Sequence, residues 1–278
     1  MTDPLPSLRE TVARYGLTAK KALGQNFLFD ANLTDKIARE AFARNKDAFE
    51  NGTVIEIGPG PGGLTRSLLK LSPKHLIAVE KDERCLRIME ELQALYPRFD
   101  PWNADAMTVD TSTLGDAPRC VVSNLPYNIG TELLLKFLQK ASCFTGFVLM
   151  FQKEVADRIT AKAGDDAYGR LSVFANWLCE TERVMTVNKS AFTPPPKVTS
   201  AVVALTPREK PLFPAKADLL ERVTKAAFGQ RRKMLRVSLK QIGDPQKLCD
   251  AANVSPMARP EDLPVEAFCA MARALEND

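Results

Sequence analysis

"TVIEIGPGPGGLTRSLLK", residues 53–70, decides how this chain folds. Its first five residues, Thr53 to Ile57, form a short apolar run of the length of a buried strand. Gly58, Gly60 and Gly62 follow, and glycines there allow a tight turn and close approach of the backbone to a ligand. A helix is expected from Gly63 to Leu71. The spacing is G-P-G-P-G rather than G-x-G-x-x-G, and its prolines stiffen a loop that need not wrap a pyrophosphate. Alone the loop is a weak signal, because a simple tight turn reads the same way.

The rhythm continues on both sides. Upstream, a helix is expected over Leu33–Phe42, with Asp30 or Asn32 as its N-cap. Downstream come a strand "LIAVE" (76–80), a helix over 82–95, a weak strand near Phe99-Asp100, a strand "RCVVS" (119–123) and a helix over 131–140. "FTGFVLMFQ" (144–152) is the most apolar strand, followed by helical segments at 153–162 and at "AYGRLSVFANWL". Such alternation argues for a mostly parallel sheet covered on both faces, an α/β fold. Two last strands near 183–188 and 198–205 lack a long helix between them and are expected to close one edge antiparallel. "TPREKPLFPAKA" (206–217) reads as a linker, and the chain beyond it as all helical. The expected divisions are an N-terminal arm at 1–23, a sheet domain at 24–206 and a small all-α domain at 207–278.

Bulk properties narrow the chemistry. The chain has 278 residues, 45% of them hydrophobic and 26% charged, ordinary values for a soluble globular protein. It shows no apolar stretch of membrane-spanning length and no apolar signal core behind "MTDPLPSLRE", so a cytoplasmic protein that acts away from membranes is expected. Its six cysteines are scattered without a CxxC pair, and packed, reduced thiols are expected. His75 is the only histidine, which argues against clustered His ligands or a His-centred triad, and no metal is expected. Net charge is only +4, yet residues 221–240 hold seven basic residues against Glu221 alone. A polyanion-binding surface needs such an excess, although a solvated helix face can carry one too.

Two acids extend the glycine turn into a site. Glu80 ends the second strand, where a carboxylate can accept from both hydroxyls of a ribose. Asp105, in "NADAM", falls where a third strand should end, and can accept from an adenine amino group. Together they describe an adenosine-bearing ligand, either a nicotinamide dinucleotide or S-adenosylmethionine.

The next element separates these two. "SNLPYNIG" (123–130) follows the apolar run Cys120–Val122. An exocyclic amine on a base is a weak nucleophile, because its lone pair is delocalised into the ring. The side-chain oxygen of Asn124 and the carbonyl of Leu125 can accept its N–H bonds and favour a pyramidal nitrogen. Pro126 restrains that carbonyl, and Tyr127 offers a face for the purine to stack on. A sulfonium methyl donor already carries its leaving group, so positioning and electrostatics can do most of the work.

The Asn-Leu-Pro-Tyr quartet resembles the signature of S-adenosylmethionine-dependent amino-methyltransferases. "LGQNFL" (23–28), "EIGPGPGGLT" (56–65), "VEKD" (79–82), "DAM" (105–107), "NLPYNI" (124–129), "YGRLSV" (168–173) and "FTPPPKVTSAV" (192–202) stand in the order of one family. Over about residues 20–206 the chain resembles the rRNA adenine N6,N6-dimethyltransferases, closest to the bacterial type that acts on two adjacent adenosines near the 3′ end of 16S rRNA. The resemblance implies a Rossmann-like methyltransferase sheet with an antiparallel edge and a helical rRNA-binding domain. It also implies S-adenosyl-L-methionine as methyl donor, S-adenosyl-L-homocysteine as product, and a role in small-subunit biogenesis on 16S rRNA, either as naked RNA or in an immature subunit, as a monomer. Asn26 and Leu28 would line the methionine end of the cofactor, beside Gly58 and Gly60. Glu80 would hold the ribose and Asp105 the adenine. Asn124 would orient the target amine, Tyr127 would stack on the base and Phe192 would close its other face.

Two departures stand out. Thr199 occupies the place of a frequent acid in "PKVDS", and Asn103 that of a frequent Gly or Gln. In "FGQRRKMLRVSL" (228–239), Phe228, Met234 or Leu235, and Leu239 make an apolar helical stripe. Arg231, Arg232, Lys233 and Arg236 are expected on rRNA phosphates. Three rivals remain: a 23S rRNA adenine methyltransferase of the erythromycin-resistance type, a nicotinamide-dependent oxidoreductase, and a non-catalytic rRNA-binding assembly factor. The oxidoreductase leaves Asn124–Tyr127 and Phe192 unexplained.

Overall fold

The computed structural model describes residues 5–20, 24–230 and 233–276. These divide into two compact units, one of residues 1–156 and 182–207, the other of 157–181 and 208–278.

The first unit begins with α1 (Leu8–Arg14), capped by Ser7 and Glu10 in a reciprocal capping box. Arg66 holds this helix by donating to the Pro6 carbonyl at 2.6 Å and to the Thr11 hydroxyl at 3.0 Å. The N-terminal arm thus carries a docked helix that sequence reading left unassigned. The short strand β1 (Phe27–Leu28) follows, then α2 (Ala31–Arg44), α3 (Lys46–Asn51), β2 (Thr53–Ile57), α4 (Gly63–Lys70) and β3 (Leu76–Glu80). Next come α5 (Glu83–Leu95), β4 (Phe99–Asn103), β5 (Arg119–Asn124), α6 (Gly130–Leu138), β6 (Gly146–Gln152) and α7 (Lys153–Thr160). Asp30 caps α2, accepting from the Asn32 and Leu33 N–H groups, and Asp82 caps α5.

α8 (Arg170–Leu178), β7 (Cys179–Val187), β8 (Phe192–Thr193) and β9 (Ser200–Pro207) complete the sheets. The main sheet has the order β4-β3-β2-β5-β6-β9-β7. β3, β4 and β5 run parallel to their neighbours, β6 is parallel to β5, and β9 is antiparallel to β6. The mostly parallel sheet with an antiparallel edge is therefore present, with β9 inserted between β6 and β7. β2 and β3 are buried along their whole length, which is why they read as unbroken apolar runs. A separate pair, β1 with β8, was not foreseen: two-residue strands leave no periodicity to read.

The second unit holds α8 with α9 (Ala217–Gly229), α10 (Leu235–Ser238), α11 (Pro245–Ala251) and α12 (Val265–Glu276). Its core joins Tyr168, Val173 and Trp177 to Leu220, Val223, Phe268 and Met271. The break after Pro207 falls beside the expected one at 206/207, but residues 157–181 group with the C-terminal helices, because the apolar face of α8 finds its partners there. Residues 206–217 are likewise no free linker. Leu212 donates its N–H to the Trp177 carbonyl at 2.8 Å, and the Trp177 indole donates to the Phe213 carbonyl at 2.7 Å. The basic stretch is not one helix, because α9 stops at Gly229 and α10 starts at Leu235. Leu235 and Leu239 are buried, so Leu235 and not Met234 holds the apolar position. Among the described residues no helix is long and apolar enough to cross a membrane.

Candidate active site

A cleft opens where β2, β3, β4 and β5 end, with the segment Gly24–Leu28 forming a further wall. The parallel strands bring four sequence-distant turns to one edge: Gly58–Pro61, Glu80-Lys81, Ala104–Met107 and Asn124–Ile129.

The glycine turn works by backbone geometry. Gly58, Gly60 and Gly62 all have positive φ, at 65°, 55° and 90°, a region that side chains with a Cβ rarely adopt. Gly63, which sequence reading used only as the helix start, matters through space instead. A Cβ there would stand 2.4 Å from the Leu28 carbonyl oxygen. The turn and β1 can pack as they do only because that atom is missing.

Glu80 is buried, and its two carboxylate oxygens are held separately. Oε2 accepts from the Gly60 N–H at 2.9 Å and Oε1 from the Asp82 N–H at 2.7 Å. Each oxygen keeps a lone pair for a further donor. Burial pushes this carboxyl above its ordinary value, while the Asp82 and Gly60 N–H groups pull it back. Asp82 is a hub beside it: its carboxylate takes the Arg84 guanidinium at 2.6 Å and the Gln25 amide at 2.9 Å. Those contacts, the Arg84 hydrogen bond first, hold Asp82 down at about 2. Through Gln25 the segment before β1 is tied to the end of β3.

Asp105 accepts from the Lys81 ammonium at 2.7 Å and from the Met107 N–H at 2.9 Å, and Lys81 holds its carboxyl below the ordinary range. Lys81, Gln25 and Glu56 all line the cleft, yet sequence reading gave them no role. The signal lay within quoted motifs, "VEKD", "LGQNFL" and "EIGPG", but nothing in one dimension shows which side chains turn inward. Glu56 is buried and its Oε2 lacks a hydrogen-bond partner among the described residues. Burial pushes it up to about 8, with the nearby Glu80 charge acting in the same direction and Thr65 opposing.

Asn124, Leu125, Pro126 and Tyr127 all line the cleft. The Asn124 amide donates from Nδ2 to the Asn26 carbonyl at 3.3 Å. Its Oδ1 is buried and accepts no hydrogen bond among the described residues. A buried carbonyl oxygen left without a donor is costly, and this one is free to accept an N–H from a group in the cleft. Pro126 faces Gly58, and the Tyr127 N–H side faces Gly24, where a Cβ would meet Asn128 Oδ1 at 2.5 Å. The Tyr127 hydroxyl is hydrogen-bonded to the buried Ser200 hydroxyl, a partner that sequence reading did not assign. Its ring meets Phe192 edge-on with centroids 6.5 Å apart. Phe192 departs from expectation: it is 2% exposed and does not line the cleft. In this structure it backs Tyr127 and does not present a free second face.

Asn26, Leu28, Gly58, Gly60, Glu80 and Asp105 share this cleft with the quartet. In the helical unit, Lys233 and Arg236 are exposed, whereas Arg231 and Arg232 lie outside the described residues.

Comparison with known proteins identifies the family. The family model for "Ribosomal RNA adenine dimethylase" matches residues 16–277. A Rhodospirillum rubrum protein named "Ribosomal RNA small subunit methyltransferase A" is 55% identical over 275 residues, 99% of this chain and 94% of the relative. One of the same name from Paramagnetospirillum magneticum is 55% identical over 273 residues, 98% and 95% of the two chains. A dimethyladenosine transferase from Plasmodium falciparum has a TM-score of 0.74 at 26% identity, covering 90% of this chain and 98% of that one. The 23S rRNA methyltransferase ErmE has a TM-score of 0.69 at 27% identity, with 90% and 100% covered. With the family model matching nearly its whole length, and the sheet ending in this cleft, the chain belongs to the ribosomal RNA adenine dimethylase family.

Proposed function

We propose that this chain transfers methyl groups from S-adenosylmethionine to the N6 amines of two adjacent adenosines near the 3′ end of 16S rRNA, giving N6,N6-dimethyladenosine on an immature small ribosomal subunit. The observation that carries the reading is the buried Oδ1 of Asn124, unpartnered among the described residues, beside a cleft lined by the carboxylates of Glu80 and Asp105. The small-subunit branch is supported by relatives of that name at 55% identity, against 27% for the 23S enzyme.

The residues present fit the cofactor. Glu80 holds the ribose through the free lone pair on each oxygen, and Asp105 accepts from the adenine amine. Gly58 and Gly60 let the backbone approach closely, and Asn26 and Leu28 line the methionine end. When bound, S-adenosylmethionine supplies an electrophilic methyl on a sulfonium centre.

The chain's own groups then act on the target. Asn124 Oδ1 accepts one N–H of the adenosine amine, and the Leu125 carbonyl accepts the other. Both acceptors draw the nitrogen lone pair out of conjugation and aim it across the cleft. Tyr127 carries the base on its face, a contact of about 1–3 kcal/mol in comparable stacking sites. Its hydroxyl bond to Ser200 keeps that ring from turning. Preorganised acceptors of this kind need no proton relay through histidine. The base is taken out of its stack to reach them.

Arg231, Arg232, Lys233 and Arg236 contact rRNA phosphates in this reading. The test is methyl transfer from labelled S-adenosylmethionine to small subunits from cells lacking the modification, with the product mapped as N6,N6-dimethyladenosine. Asn124→Ala should abolish transfer while S-adenosylhomocysteine still binds. A wild-type chain that methylates no rRNA, or only 23S rRNA, would overturn the proposal.

A further inference from the structure

We propose that Lys136 is a positioning residue that braces the adenine end of the cofactor cleft against the helix that carries the catalytic turn. The inference rests on the methyltransferase reading above and extends it to a residue outside the cleft.

The loop after β4 lies at the edge of the sheet. Among the described residues β4 is an edge strand, paired only with β3. The loop itself carries Asp105, Ala106 and Met107 into the cleft. Three of its carbonyls converge on one cation: Lys136 Nζ donates to Ala106 O at 3.0 Å, Met107 O at 2.8 Å and Val109 O at 2.5 Å. An ammonium has three N–H donors and no acceptor, so this arrangement uses it completely. Three carbonyl dipoles aimed at one point repel each other unless a donor or cation sits there. Lys136 therefore holds the loop in a shape it would not keep by itself.

The other end of the brace is rigid. Lys136 lies on α6, which is anchored by buried Leu133, Leu134, Phe137 and Leu138 and begins at Gly130, directly after Asn124–Ile129. The Met107 N–H donates to Asp105 Oδ1, so the position of the loop backbone sets the position of the carboxylate. One side chain thus links the adenine acceptor to the helix behind the methyl-accepting turn. Lys140, one turn further on, is a natural control. It reaches Asp110 at 3.7 Å with both side chains at least half exposed, a pair of little energetic weight.

The test is calorimetric titration of the full chain with S-adenosylhomocysteine, for wild type, Lys136→Met, Lys136→Gln and Lys140→Met. Lys136→Met should weaken binding about tenfold, the equivalent of one charge-assisted hydrogen bond. Lys136→Gln, which keeps two donors, should fall between, and Lys140→Met should match wild type. The KM for S-adenosylmethionine should rise while kcat at saturating cofactor and rRNA affinity stay unchanged. A merely structural lysine would lower the melting temperature equally with and without ligand; a positioning lysine shrinks the ligand-induced rise. If Lys136→Met fails to fold, Lys136→Gln carries the test. Wild-type affinity in the foldable Lys136 variants, or a fall in kcat with unchanged KM, would overturn the proposal. Failure of wild type to bind S-adenosylhomocysteine would instead bring down the methyltransferase reading, and this inference with it.

Discussion

Replacing Glu56 by Gln should remove most of a pH dependence that is built into the core. The Glu56 carboxyl sits on β2 with one oxygen unpartnered among the described residues, and burial pushes it up to about 8 from an ordinary 4.5. Between those values the folded chain holds the proton and the unfolded chain has released it. Folded protein therefore binds more protons, and stability falls as pH rises through the window. The contribution is full below about 4.5 and lost above about 8, with a limiting slope of about 1.4 kcal/mol per pH unit. Glu80, also shifted upward by burial, titrates in the same direction and adds to the wild-type slope. The difference between wild type and Glu56→Gln isolates the Glu56 share. Gln brings its own cost, about 1–3 kcal/mol if its amide is left unpaired, but that cost does not vary with pH. Urea unfolding at several pH values between about 5 and 8, without ligand, gives the two slopes. The variant should lose distinctly less stability toward pH 8 than wild type. Parallel loss in the two proteins would refute the reasoning and mean that Glu56 is ionised in the fold.

Ser200→Ala and Tyr127→Phe each delete the same hydroxyl–hydroxyl bond, so methyl transfer should fall about five- to tenfold in either and no further in the double variant; additive losses would show that Ser200 acts elsewhere. Gly63→Ala places a Cβ 2.4 Å from the Leu28 carbonyl, and the forced shift of β1 should cost about 1–3 kcal/mol in the urea midpoint and weaken cofactor binding. Changing Arg231, Arg232 and Lys233 together to Ala should reduce the slope of log affinity for rRNA against log salt by about 2, as expected for three lost phosphate contacts. Filter binding between low and physiological salt checks it, and an unchanged slope would remove these residues from the interface.

How much of this was legible in one dimension follows from the range of the forces involved. Strands β2, β3, β5 and β6 could be read because burial on both faces leaves unbroken apolar runs, and Asp30 showed as a cap because a cap acts within three residues. The acids Glu80 and Asp105 and the quartet Asn124–Tyr127 could be read because strand ends in such a sheet point to one edge. β1 and β8 were invisible because each is two residues long and pairs with the other across the chain. The basic stretch was misread as one helical stripe because its charge composition does not reveal that α9 ends at Gly229 and α10 starts only at Leu235.

By itself, then, the sequence determined the α/β class, the succession of the main strands along the chain and the residue types that meet at their ends, all of which rest on local pattern. Only the tertiary structure decided that 157–181 joins the helical unit, that Phe192 backs Tyr127 and that Ser200 holds its hydroxyl. It alone placed the Lys136 ammonium among three carbonyls. Each of these depends on where an aliphatic face, a ring or an ammonium finds its partner across long sequence separation, and that information exists only once the chain is packed.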